Sequence, residues 1–126
     1  MASELRVNTL KDASGNNSVG MSTVAEGSAK VWQNLNGSGT ISTRDSFNVA
    51  STTDFSTGRY RPNFTNSMNN SSYAVTTNGH RAEDYAIGCR QGEMTTSLYE
   101  IMVHRHTNTN DIDSESVFSL AHGDLA

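Results

Sequence analysis

Hydrophobic positions in this chain recur at a spacing of two, in short runs cut by Asn, Gly and Asp. Such alternation lines one face of a half-buried strand with apolar side chains. In Ala29–Leu35, Val31 and Leu35 share a face and Trp32 takes the other; in Ser46–Ser51, Phe47, Val49 and Ser51 alternate; in Arg59–Phe64, Tyr60, Pro62 and Phe64 do. Together with Thr40–Thr43, Tyr73–Thr77, Thr96–Thr107 and Ser116–His122, these runs predict six or seven strands. The turns fall at Gly37-Ser38-Gly39, Asp54–Gly58 and Asn78-Gly79. Short strands joined by such turns at regular intervals predict an all-β fold, an antiparallel β-sandwich or barrel-like domain. Pro62 has no N–H to give a neighbour, which predicts that its strand lies at a sheet edge. The stretch His80–Gly92 is ambiguous: Ala82–Ile87 fits either a short helix or a loop at a distal tip.

Residues 1–28 differ from the body at 29–126. Leu5, Val7 and Leu10 offer a short strand or anchor, Asp12–Ser18 is a turn by composition, and Val19–Ala25 suits one or two helical turns interrupted by glycine. Such a piece is either an attachment arm or a flexible one, and an arm that orders on binding is both.

Ordered motifs run through the body. Ala29-Lys30-x-Trp32 leads to Asn36-Gly37-x-Gly39-Thr40, then to Arg44-Asp45-Ser46-Phe47-Asn48-Val49. Thr53-Asp54-x-x-Thr57-Gly58-x-Tyr60-x-x-Asn63-Phe64 closes the series. In this order they resemble a β-rich domain of tail fibres, spikes and other appendage proteins of tailed bacteriophages, closest to those of marine and cyanobacterial phages. Met68–Val75 is similar to that family's next strand, with Asn where Pro or Asp is frequent. Val117–Asp124 is similar to its closing strand, with His122 in place of a common aromatic. Leu5–Asn16 resembles the linker that precedes the domain in longer fibres. The likeness covers most of the chain and is weakest over Gly79–Thr96. It implies a homotrimeric virion structural protein, attached to other virion proteins through Leu5, Val7 and Leu10 of the arm, and no chemistry.

Composition changes the picture in one respect. Leu, Ile, Val and Phe supply 22 of 126 residues, under the roughly 20% below which disorder becomes a concern, while Ser, Thr and Asn supply 44. The net charge of −4 is too small for a disordered chain, and the strands alternate cleanly. The expected resolution is a β-protein that completes its core and pairs its edges with other copies. The acidic balance, with nine scattered Lys and Arg, argues against nucleic acid as a partner. No apolar run approaches the ~20 residues of a membrane span, and Met1-Ala2-Ser3-Glu4 opens no signal-peptide pattern, so synthesis in a cytoplasm is expected. The resemblance implies that it is a host's cytoplasm and that the protein's place is in the virion. Cys89 is the single cysteine, which leaves it a free thiol without a task.

Candidate chemistry is sparse. On a strand, His104 and His106 would face the same side, and around a threefold axis such pairs could ring a transition-metal ion; similar pairs hold iron in trimeric phage fibres. The alternative is a seam of Leu98, Met102 and His104. Asp111, Asp113 and Glu115 could suit calcium but lack the spacing of a known loop, and a solvated turn is the plainer reading. Arg59 and Arg61 share a strand face and could hold a sugar acid or only meet solvent. Glu83, Asp84 and Glu93 could pair for glycoside hydrolysis, yet the chain is short for a depolymerising fibre. No catalytic residue, cofactor or metal ligand is assigned, and the protein is read as not an enzyme. Trp32 is expected to pack inside or between subunits and Tyr99 in the core. Tyr85, with His80 and Arg81, is the candidate recognition tip for a host-surface glycan or protein. The alternative function is a carbohydrate-binding module without a virion role, which an exposed row of aromatics would favour.

Overall fold

Val31, Gln33 and Leu35 are buried while Trp32 is exposed, as alternation in the strand predicts. This strand, β3 (Val31–Asn36), pairs antiparallel with β4 (Ser42–Phe47) on one side and with β10 (Ser116–His122) on the other. Beyond β10 lies β7 (Ala74–His80), giving a first sheet ordered β4-β3-β10-β7. A second sheet, ordered β5-β6-β9-β8, is built from β5 (Val49–Ser56), β6 (Arg59–Phe64), β8 (Ala86–Arg90) and β9 (Glu100–His104). The computed structural model describes residues 3–80, 85–108 and 110–126. Half of the described residues are strand and 8% helix, and the two antiparallel sheets pack as a sandwich, which settles the class as all-β.

The core lies between the sheets. Val31, Leu35, Val117 and Ala121 from the first meet Tyr60, Phe64, Ile101 and Val103 from the second and Tyr99 just ahead of β9, with Met68, Tyr73 and Ile112 closing the ends. Tyrosines fill volume that the sparse aliphatic residues leave, and each hydroxyl finds a partner, as buried polar groups must. Tyr60 Oη donates to the Gly37 carbonyl (2.8 Å), Tyr73 Oη to the Leu98 carbonyl (2.7 Å), and Tyr99 Oη to Ser119 Oγ (2.7 Å). Phe64, Tyr73 and Tyr99 form a tilted ring cluster with centroids 5.6–6.5 Å apart. Gln33 Nε2 reaches Thr43 Oγ1 of β4 (2.8 Å) and also Thr52 Oγ1 of β5, tying the sheets together.

Several expected boundaries are corrected. Ser46–Ser51 is not one strand: Asn48, at φ 59°, turns the chain from β4 in the first sheet to β5 in the second. β6 is an internal strand, not an edge. Pro62 instead sits where the ladder to β9 lapses, between the Tyr60–Ile101 pair and the isolated Asn63–Leu98 bridge, so its missing N–H leaves no broken bond. Asn78-Gly79 is no hairpin turn but the interior of β7. A Cβ on Gly79 would lie 2.2 Å from the Ser116 carbonyl oxygen, so the glycine serves close approach of β10. The Thr96–Thr107 run is strand only at β9. Of the ambiguous segment, Ala86–Arg90 is strand and Gln91–Glu93 a 3₁₀ turn, which removes the helix from its described part. Arg81, Glu83 and Asp84 lie outside the described residues.

The N-terminal segment forms a hairpin of β1 (Thr9–Lys11) and β2 (Ser18–Gly20), followed by the helix α1 (Met21–Gly27). Asp12 organises the hairpin loop. It accepts from Asn17 Nδ2 (2.7 Å), Asn16 N (3.0 Å) and Ser14 Oγ (3.1 Å), bonds led by Asn17 that hold its carboxyl below the usual range. None of the helix residues is buried, and Leu5, Val7 and Leu10 are exposed.

Candidate functional site: an aromatic face on the first sheet

The alternation that sends Val31, Gln33 and Leu35 inward sends Trp32 and Asn34 outward. The same phase on β10 sends Phe118 and Leu120 outward. Register then sets neighbours: Trp32 lies opposite Phe47 of β4 and Leu120 of β10, and Phe118 opposite Asn34 of β3 and Asn78 of β7. Directly opposed side chains are about 5 Å apart, and diagonal pairs such as Trp32 and Phe118 about 7–8 Å. Trp32, Phe47 and Phe118 remain 37%, 51% and 40% exposed. Contiguous apolar surface of this kind on the outside of a folded domain marks a place of contact.

Between the rings lies a shallow cleft of about 270 Å³, floored by β10 and walled by Trp32, Asn34, Thr76, Asn78, Phe118 and Leu120. Among the described residues no lining side chain is ionisable. Asn34 Oδ1 accepts from Arg44 Nη1 (3.3 Å) and Asn78 Oδ1 from the Gly79 N–H (2.7 Å), which leaves both amide nitrogens as donors. The arrangement suits stacking against an apolar surface with hydrogen bonds at its margin. Trp32 is therefore not packed inside this chain. Its outward phase was legible in β3, but its company was not: Phe118 comes from the far end of the sequence.

The outer face of the second sheet carries charge. Arg59 and Arg61 do share a face, but rather than meeting solvent or a ligand they close over Glu100, whose side chain is 0% exposed. Arg61 reaches it at 2.7 Å, Arg90 at 3.2 Å and Arg59 at 3.7 Å. Arg59 also pairs with Asp111 (2.7 Å), Arg61 with Glu93 (3.1 Å), and the Arg61 guanidinium lies 3.6 Å from the Phe55 ring centroid. Three guanidinium groups against three carboxylates make a balanced framework.

Other sequence candidates are placed as follows. β9 ends at His104, and His106 lies in the following turn, so the two do not share a strand face. Among the described residues no group of three or more His, Cys, Asp or Glu could hold a metal ion. Asp113 is not a solvated turn residue: its Oδ1 accepts from the Gly58 N–H (2.7 Å) and lies 3.2 Å from Tyr60 Oη. Tyr85 is half-buried against the core, with its hydroxyl on the Gly79 carbonyl, rather than at an exposed tip; His80 ends β7, exposed. Burial, then the nearby Glu100, pushes the Cys89 thiol up and keeps it protonated. The pair Tyr73 and His122 borders a polar cavity of about 320 Å³ near Glu26 and Asp124.

Comparison of the chain with protein-family models, with curated proteins and with solved structures finds no match.

Proposed function

We propose that this protein is a structural and adhesive module of a tailed-bacteriophage particle, a tail fibre, spike or capsid-decorating appendage. The single observation that carries the reading is the aromatic face: a chain that closes a core of its own leaves Trp32, Phe47 and Phe118 outside it. The ordered motifs between Lys30 and Phe64 supply the particle. The arm supplies the link: Leu5, Val7 and Leu10 stand outside the sandwich core, available to be buried against a virion protein. Copies assemble as a homotrimer, and adhesion to a host-surface glycan or protein multiplies weak contacts by copy number.

A second reading, a carbohydrate-binding module without a virion role, is favoured by the same exposed row of rings. An antibody raised against the chain separates the two. Labelling of gradient-purified particles of the encoding virus supports the appendage; particles that carry none of the protein overturn it. Light scattering of the whole chain tests the assembly, with a trimeric mass expected and a monomer at every concentration excluding it.

A further inference from the structure

We propose that the cleft between Trp32 and Phe118 binds an uncharged oligosaccharide. The proposal takes its biological setting from the adhesive reading above and its chemistry from the cleft alone. A pyranose ring has two C–H-rich faces that stack on aromatic rings and a rim of hydroxyls that both donate and accept. The cleft offers the complement. Trp32, Phe118 and Leu120 supply apolar surface, and the free amide nitrogens of Asn34 and Asn78 and the Thr76 hydroxyl stand at its edge.

Charge decides among occupants. An acidic glycan would require a cation free to turn toward it. Among the described residues no lining side chain carries one. Arg44, beside the Asn34 wall, is committed to Asn34 Oδ1 (3.3 Å) and the Leu35 carbonyl (3.3 Å), with Asp45 next to it opposite Asn34. The arginines of β6 and β8 are on the other sheet and already held by Glu93, Glu100 and Asp111. A second copy of the chain would need a broad dry apolar centre for a stable interface, whereas the apolar run of Phe47, Trp32 and Leu120 is a single row that ends at Thr76. In the next row Asn34 and Asn78 flank Phe118 on both sides. Neutral sugar satisfies both the rings and the amides. A flat, open face also suits a chain of sugars crossing the strands better than a single enclosed one.

The chain has one tryptophan, so its fluorescence reports on the cleft directly. The whole protein is titrated with maltotetraose, laminaritetraose and chitotetraose, and with tetragalacturonate as the charged counterpart. A saturable shift in Trp32 emission is expected with at least one neutral probe and none with tetragalacturonate. Phe118→Ala and Asn78→Asp should each weaken the response by roughly tenfold or more, while Phe55→Ala, on the opposite sheet, leaves it unchanged. Circular dichroism of each variant confirms that the sandwich is intact. No saturable shift with any neutral probe at millimolar concentration overturns the proposal, as does a response to tetragalacturonate alone. An emission shift that follows protein concentration without sugar overturns it too, and assigns the face to a second copy. Particles labelled by antibody but a cleft silent to sugar would sink this proposal and leave the appendage standing; the reverse result would do the opposite.

Discussion

Asn48 and Asn66 clasp each other across the corner where the chain changes sheets. Asn48 Oδ1 accepts from the Asn66 backbone N–H (2.7 Å) and from Asn66 Nδ2 (3.1 Å), while Asn48 Nδ2 donates to the Asn66 carbonyl (3.0 Å). The neighbouring Thr65 N–H reaches the Asn48 carbonyl (3.1 Å). Asn is among the few residues with a side chain that tolerate the left-handed conformation, and here that side chain is also the fastener.

Substitution at this corner separates the two roles. Asn48→Gly keeps the backbone geometry and loses the side-chain bonds, for an expected loss of about 1–2 kcal/mol. Asn48→Ala adds the left-handed strain and should cost about 2–3 kcal/mol. Urea denaturation measures both. An alanine variant no less stable than the glycine variant would show that the φ value of 59° carries no strain at this corner.

How much of this was legible in sequence follows from how far each interaction reaches. The inward phases of Val31 and Leu35, and of Tyr60, Pro62 and Phe64, are local and came through directly. The sheet change at Asn48 did not, because Phe47, Val49 and Ser51 keep an alternating pattern straight across it. Asn78-Gly79 carries a turn signature but answers to Ser116, a contact that no short window contains. Arg59 and Arg61 gave their shared face but not Glu100 or Asp111, which chain topology delivers from distant segments. The candidate site shows the same division. Trp32 pointed outward by its own strand, while Phe118, Leu120 and Asn78 joined it only through the pairing of β3, β10 and β7.

Glu100 should be the most sensitive charged position. Removing a buried carboxylate strands guanidinium groups whose desolvation it offset, so Glu100→Ala is expected to cost about 3–5 kcal/mol. Glu93→Ala removes a partner that is 39% exposed and should cost under about 1 kcal/mol. Equal losses for the two, measured by chemical denaturation, would mean that Glu100 gains nothing from its arginine cover.

Stability and recognition should part company at the aromatic face. Trp32→Ala and Phe118→Ala remove side chains that the core does not enclose, and each is expected to change folding stability by no more than about 1 kcal/mol. By contrast Tyr99→Ala, in the centre of the ring cluster, should cost about 3–5 kcal/mol. Thermal melts followed by circular dichroism make the comparison. A Trp32 variant that melts like the Tyr99 variant would place Trp32 among the packing residues after all.

Alkaline pH should unfold the sandwich through its tyrosines. Burial pushes Tyr99 up to about 12, and burial likewise raises Tyr60 and Tyr73 above the ordinary tyrosine value of 10.0. Each phenol is therefore harder to ionise in the folded chain than in the unfolded one. Between the two values the unfolded state has released protons that the folded state still holds, so stability falls as pH rises. The contribution of Tyr99 is fully present below about pH 10, and roughly 2 kcal/mol of it is lost by pH 12. With three phenols acting together the slope could reach roughly 4 kcal/mol per pH unit. Urea midpoints measured from pH 7 upward should stay level to about pH 9 and then drop steeply, more gently in Tyr99→Phe, which has no phenol to ionise there. Midpoints that remain level to pH 12 would mean that the three hydroxyls ionise as freely inside the protein as outside it.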